Sequence, residues 1–414
     1  MNRLKIWLSA GLTAVAFALS AQAQQPLKIG FGMSLTGPLA GNGKAALISM
    51  QIWAEDVNAR GGLFGRKVEL VYYDDQTNPS TVPSIYNKLL DVDKVDLVVS
   101  GYGTNVIAPA MPIMMQRNMV FMSLFGLNVN SKFNYDRYFQ IMPAGPDPAV
   151  GWSEGFFHVA MALNPKPQTV ALVGADAEYP SLALEGARTN AKKAGLKVVY
   201  DKSYPPNTVD FSPIVRAIQA TNPDLVFLAS YPPDSAGMVR AVNEVGLKTR
   251  MFGGGLVGPQ FASLRTQLGP LLNGIVNYES YTPEVAAKYP FLEQFLAKYQ
   301  GRAVKEGVDP LGFYLPPYAY AMMQVLEQAI KATGSLDQTK LADYMHQYEF
   351  DTYVGKVRFA KNGEWSVPRM LTVQYHAVAG NDLEQWMKPG RVTVLYPASY
   401  KTGDVQTPYQ DNRK

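Results

Sequence analysis

The sequence predicts an α/β protein made of two doubly wound units, each a largely parallel sheet with helices on both faces. Three observations carry this. Short apolar runs alternate with amphipathic stretches, the runs are apolar almost throughout, and the alternation restarts after "MPAGPDP" (142–148). A strand covered on both faces needs apolar side chains in both directions, unlike a half-solvated strand, which alternates.

In the first unit, "LKIGFGM" (27–33), "KVELVYY" (67–73), "VDLVVS" (95–100) and "MVFMS" (119–123) read as strands. Ala46, Met50, Trp53 and Val57 recur at helical spacing between the first two, and "RGG" stops that helix at Gly61. Val82, Ile85 and Leu89 repeat the pattern. In the second unit the strands are "QTVALVG" (168–174), "LKVVY" (196–200), "DLVFLAS" (224–230) and "TRMFGG" (249–254), with helices over 180–195, 211–221 and 234–246. Met322, Val325, Leu326, Ala329 and Ile330 then mark a strong helix. Shorter β-like pieces follow at 356–360, 370–376 and 391–396, and the polar tail from Pro397 is expected to be loosely ordered.

The first 23 residues, "MNRLKIWLSAGLTAVAFALSAQA", have a basic start, an apolar middle and an Ala21-Gln22-Ala23 ending. That is a secretory signal, and the expected location is a periplasm. A membrane anchor is the weaker reading, because the apolar run is short and small residues end it. With no cysteine in the chain, disulfides, thiolate metal sites and cysteine lipidation are not expected. The formal charge is +4, which becomes +2 without Arg3 and Lys5. No basic block stands out, so a nucleic-acid partner is not expected. Charged residues are 17% of the chain, below the usual quarter, while tyrosines number 24. Neutral, aromatic-lined surfaces are expected somewhere.

Ligands of open α/β sheets sit beyond the carboxyl ends of the strands. The stretches there are "SLTGPLAGNGKAA" (34–46), "GYGTNV" (101–106), "LFGLN" (124–128), "ADAEYPS" (175–181), "YPPDS" (231–235) and "GGGLVG" (253–258). They offer hydroxyls, amides, rings and glycines, and little for acid–base catalysis. Gly41, Gly43 and Ala46 match a dinucleotide fingerprint, but Ser34 to Ala40 separate it from the strand, so a loop making room for something else is favoured. His158, His346 and His376 are far apart and read as structural. Asp74-Asp75 reads as a turn cap rather than a metal site. The amides at Thr104 open a helix, where partial positive charge collects, and with the Thr104 hydroxyl they can hold a carboxylate. An ordinary N-cap explains Thr104 or Asn105 equally well.

At these residues the chain resembles the periplasmic branched-chain amino-acid-binding proteins of ABC importers, a type I periplasmic binding fold. The resemblance covers roughly residues 27–395. It rests on "SLTGPLAGNG", "DVNARGGLFGRKVELVYYDDQTNPS", "YDKSYPPNTVDFSPIVRAI", "NPDLVFLASY", "AVNEVGLKT" and "DTYVGKVRFAKNGEW". It implies two doubly wound lobes joined by three hinge crossovers, near Pro143, Tyr278 and Thr352. Lobe 1 would be 24–143 with 278–352, and lobe 2 would be 144–277 with 353–396, leaving 397–414 as the tail. The carboxylate-gripping hydroxyl falls on Thr104, with Gly103 beside it. The tyrosines that close over the ligand fall on Tyr179 and Tyr231, and a further loop on Phe125, Gly126 and Leu127. Asn42 and Tyr102 complete the expected ligand-binding set with Gly255.

Two departures matter. The family's amino-acid binders carry a threonine where Leu127 stands and a small residue where Phe125 stands. Their acid for the ligand's ammonium falls on Gly255, and "FGGGLVG" (252–258) contains none. The expectation is therefore a non-catalytic, monomeric binding protein without cofactor or metal. It would deliver a small carboxylate, of the benzoate, hydroxybenzoate or hydroxycinnamate type, to a membrane permease. The alternatives are a branched-chain amino acid or short amide as ligand, with Glu178 or Asp234 replacing the missing acid, or a sensing module that presents its ligand to a receptor.

Overall fold

The computed structural model describes residues 25–413, so the secretory signal read from residues 1–23 lies outside the described residues. Two sheets organise the chain. The first contains β1 (Leu27–Met33), β2 (Val68–Asp74), β3 (Leu97–Tyr102), β4 (Phe121–Leu124) and β5 (Tyr138–Gln140), in the order β2-β1-β3-β4-β5, all parallel. The second contains β6 (Thr169–Ala175), β7 (Lys197–Tyr204), β8 (Leu225–Ser230), β9 (Met251–Leu256) and β10 (Val276–Glu279). A small ribbon, β11 (Phe350–Thr352) with β12 (Gly355–Val357), precedes β13 (Leu371–Tyr375) and β14 (Val392–Tyr396). The second sheet runs β14-β13-β10-β9-β8-β6-β7, parallel except for the antiparallel β13 and β14 at one edge. This is the two-lobed, doubly wound α/β architecture expected of a type I periplasmic binding fold.

The chain passes between the sheets three times, through 141–147, 280–291 and 353–370. Helices Leu292–Glu306 and Pro316–Thr333 return to the first sheet, where both pack along helix Ala40–Ala59. That seam contains an anchored polar contact. The Trp53 indole donates to Glu327 at 2.9 Å, and Arg60 pairs with the same carboxylate. The N-terminus of helix Ala40–Ala59 is seated by Gly43, where a Cβ would lie 1.9 Å from the Ser34 carbonyl oxygen. The glycine-rich loop thus makes room for the chain's own backbone.

Strand β10 escaped the sequence reading because its sequence, "VNYE", carries two polar residues that are wholly buried. Asn277 substitutes for backbone, exchanging hydrogen bonds with Leu256 N–H and carbonyl at 3.0 and 2.9 Å. Glu279 pairs with buried Arg265 and accepts the Tyr375 hydroxyl at 2.6 Å. Even so, burial pushes the Glu279 carboxyl up to about 7. Strands β5 and β11, three residues each, were also missed.

The C-terminal tail corrects an expectation. It is not loose but docked on the second lobe. Tyr409 is fully buried against Phe252, and its N–H donates to the Thr249 and Arg250 carbonyls. Gln374 exchanges two hydrogen bonds of 2.8 Å with the Gln406 backbone. The tail is held by these hydrogen bonds together with a few apolar anchors, Tyr400, Val405 and Tyr409, too scattered to form an apolar face in the sequence.

The third crossover contains a buried acid. Glu364 is 2% exposed, and neither carboxylate oxygen has a hydrogen-bond partner. Burial alone raises its pKa well above the ordinary 4.5. Such a group costs no stability below pH 4.5, where both states are protonated. It costs about 1.4 kcal/mol per pH unit above that, until the folded protein itself titrates. Glu364→Gln should therefore leave the melting temperature at pH 4 nearly unchanged and raise it at pH 8. Melting curves across that range check this, and the part of the pH slope due to Glu279 should persist.

Candidate functional site

In the first sheet the strand order reverses between β1 and β3, and in the second between β6 and β8. The loops leaving those strands part there and open a crevice. The two crevices face each other and meet at one cavity, bordered by Tyr102, Gly103 and Thr104 after β3, and by Phe125 and Leu127 after β4. Tyr179 and Tyr231 border it from the second lobe. Seven of the ten residues expected from the sequence are thus brought together.

The other three do not line it. Gly126 turns its carbonyl to the Gln140 amide. The Gly255 carbonyl accepts the Tyr179 hydroxyl at 2.8 Å, beside the cavity. Asn42 is buried in helix Ala40–Ala59 outside the lining set, with both amide atoms unpartnered. Four lining residues were missed: Met142, Trp152, Val257 and Tyr314. Trp152 and Tyr314 do not follow a strand, so reading strand ends could not find them. The tyrosine-rich "FYLPPYAY" (313–320) is the one signal that pointed toward Tyr314.

No lining side chain carries a charge. The Thr104 hydroxyl oxygen accepts the Leu127 N–H at 3.0 Å, so its own proton remains to be donated. Tyr102 and Tyr314 share a hydrogen bond of 3.2 Å, and Tyr278 donates to Tyr314 at 3.4 Å. Burial pushes the Tyr102, Tyr179, Tyr231, Tyr278 and Tyr314 hydroxyls up from the usual phenol range. They are therefore neutral at ordinary pH and act as donors or acceptors, never as phenolates.

Phe125 adopts φ +59°, which a bulky residue rarely does. Its ring stands edge-on to Tyr314 and Tyr318, each at 5.3 Å. Gln140 fixes this turn. Its side-chain carbonyl accepts Phe125 N–H at 3.0 Å and Met142 N–H at 3.1 Å, while its NH₂ donates to the Gly126 carbonyl at 2.8 Å. A strained backbone at a cavity persists only where surrounding bonds overdetermine it.

The cavity is small, about 20 Å³, close to the room one water needs. Tyr231 separates it from an outer chamber of about 450 Å³ between the lobes. Its hydroxyl reaches across to Asn105 of the first lobe at 3.3 Å. Asp234 lies in that outer chamber and accepts the Tyr204 hydroxyl at 3.3 Å. Glu178 is paired with Lys132 across the rim at 2.8 Å. Neither acid considered as a substitute for the missing one reaches the inner cavity. Asp74 and Asp75 hold the loop after β1 by accepting from Leu35, Thr36 and Ser34, a turn-fixing role. Among the described residues, no cluster of three or more His, Cys, Asp or Glu could hold a metal ion.

Comparison with known proteins gives a consistent picture. A family profile described as periplasmic binding protein matches residues 26–408. An amino acid binding protein of Pseudomonas aeruginosa is 26% identical over 377 residues, spanning 88% of this chain and 95% of the relative. An ABC transporter substrate-binding protein from Sphaerobacter thermophilus superposes with TM-score 0.75 at 20% identity, over 93% of this chain and 100% of that one. A solute-binding protein of an ABC transporter from R. palustris, solved with benzoate, superposes with TM-score 0.71 at 16% identity, over 89% and 95%.

Gln140→Leu removes the clamp while keeping most of the buried volume. It strands the Phe125 and Met142 N–H groups, while the Gly126 carbonyl keeps the Tyr138 hydroxyl at 3.3 Å, and should cost about 2–4 kcal/mol of stability. Urea denaturation measures the loss.

Proposed function

This chain belongs to the periplasmic binding protein family, and from that premise we propose that it captures a small aromatic carboxylate between its lobes for a membrane permease of an ABC importer. Proteins of this family are substrate-binding components of ABC transporters, not enzymes. The proposed setting is a periplasm, with the chain acting as a monomer. The proposed lobes are 24–143 with 278–352, and 144–277 with 353–396, hinged at the three crossovers, although β10 keeps Tyr278 and Glu279 on the second sheet.

One observation carries the ligand class: the lining is uncharged and ring-rich, and its Thr104 hydroxyl is free to donate. An α-ammonium enclosed here would lack a carboxylate partner, and leaving a buried charge unpaired costs about 3–5 kcal/mol. That is about two to four decades of affinity. A carboxylate instead meets the Thr104 hydroxyl at the opening of a short helix, whose Val106 and Ile107 N–H groups are already taken by the Gly103 carbonyl. Phe125, Tyr102, Tyr179 and Tyr314 offer faces and edges to a planar ring, each ring contact adding about 0.5–1.5 kcal/mol beyond area burial. Because the cavity is so small, a ring enters only as the lobes part and these side chains reseat, which makes hinge opening part of binding. The benzoate complex of the R. palustris relative supports the reading to the extent that this fold accommodates such a cargo.

A thermal-shift screen tests this, since ligand bound to the folded state raises the melting temperature by mass action. Benzoate, hydroxybenzoates or hydroxycinnamates should stabilise the protein, and leucine should not. The reverse pattern refutes the proposed ligand class. Thr104→Ala should weaken every carboxylate, by about tenfold or more. Phe125→Ala should weaken ring-bearing acids more than aliphatic ones.

A further inference from the structure

We propose that the indole N–H of Trp152 is a ligand-binding donor on the second-lobe wall, selecting cargo that carries a second oxygen, a ring hydroxyl or carbonyl, away from its carboxylate. This rests on the carboxylate reading above and extends it to the far end of the ligand.

Trp152 borders the inner cavity and is only 5% exposed, yet its Nε1 has no hydrogen-bond partner. A buried donor is ordinarily satisfied, and an orphan calls for an explanation. Trp365 and Trp386 have unpartnered indole nitrogens too, but neither borders this cavity. The hydroxyls of its two ring neighbours already give their protons elsewhere. Tyr278 lies against its ring at 4.3 Å and gives its proton to Tyr314. Tyr179 stands edge-on at 5.8 Å and gives its proton to the Gly255 carbonyl. The Tyr179 oxygen keeps lone pairs and lies close enough to the indole N–H for that contact to oppose the effect of burial on its phenol, but the pair falls short of hydrogen-bond geometry, so the N–H remains available to a better-placed acceptor.

Position gives the orphan its meaning. Trp152 sits on helix Pro148–Met161, which packs on the second sheet, whereas Thr104 belongs to the first. The two donors therefore stand on walls that move relative to each other when the hinge works. A cargo with an acceptor at each end joins both lobes. A cargo with only a carboxylate can occupy the first lobe, but closing over it leaves the indole N–H with no acceptor better placed than the Tyr179 oxygen. Selection for the second oxygen would thus act at closure, through a group that reads neither charge nor ring.

Calorimetric titration of the full chain with benzoate, 3-hydroxybenzoate and 4-hydroxybenzoate tests this. Wild type should prefer one hydroxybenzoate over benzoate. Trp152→Phe keeps the ring and removes the donor. It should weaken that hydroxybenzoate by about 10- to 100-fold and leave benzoate within about threefold, abolishing the preference. Trp152→His returns a ring N–H and should recover part of it, with circular dichroism confirming that both variants fold. Equal losses for all three acids, or none for any, would overturn the Trp152 assignment while leaving the carboxylate reading standing. If wild type binds none of the acids but binds leucine, the carboxylate reading itself fails, and the inference with it.

Discussion

The side-chain amide of Gln140 is the constraint on which the first-lobe wall depends. It sits at the end of β5, where the chain leaves for the second lobe, and it holds two neighbouring segments at once. One is the left-handed turn that presents Phe125 to the cavity. The other is Met142, which lines the cavity and begins the first crossover. The wall and the start of the first crossover are therefore fixed by one buried residue. Tyr138 and Ser123 complete the network around the amide, so each of its polar atoms has a partner. A network this fully satisfied is stiff. It allows a strained turn to be maintained without any contribution from the ligand.

The second lobe meets this stiff wall through few and adjustable contacts. Tyr231 reaches Asn105 at a marginal distance, and Lys132 pairs with Glu178 at the exposed rim. Contacts of this kind are individually weak. That suits a hinge, because strong inter-lobe bonds would hold the cleft shut. The strong charge pair of this lobe, Arg265 with Glu279, lies within the lobe at the end of β10 and does not bridge the cleft.

How much of this could be read in the sequence followed from how each element announces itself. Strands rich in apolar residues were visible, so β1 to β4 and β6 to β9 were found, including the edge strands β2 and β7, most of whose residues are half-buried or exposed rather than covered on both faces. β10 was hidden because Asn277 and Glu279 occupy a buried strand and are satisfied by partners distant in sequence. The same distinction runs through the cavity. Thr104, Tyr179 and Tyr231 sit just beyond strand ends, where topology places ligands, and the family resemblance pointed to the same residues. Trp152 and Tyr314 arrive from a helix and a loop, and only the tertiary fold brings them to the same point. Gln140 looked like an ordinary polar residue beside a short run. Its importance lies entirely in contacts with Phe125, Gly126 and Met142. The tail was misread for a related reason: composition reveals apolar faces, whereas Tyr409 and Gln406 are held largely by backbone hydrogen bonds.

The docking of that tail bears on the order in which the molecule can assemble. β10 lies between β9 and β13, so one side of it stays unpaired until residues beyond 370 are available. β14 and Tyr409 come later still. A growing chain can complete the five-stranded sheet from its first 140 residues, although Pro316–Thr333, which completes the cover of one face beside Ala40–Ala59, arrives much later. The seven-stranded sheet must wait for nearly the whole polypeptide. Its assembly is governed by contacts between distant parts of the chain, which form slowly. Until then an exposed strand edge and an uncovered apolar face coexist, a combination prone to association with other chains. The two sheets thus differ in kind: one is closed within an early stretch of the chain, and the other only when its last strands are in place.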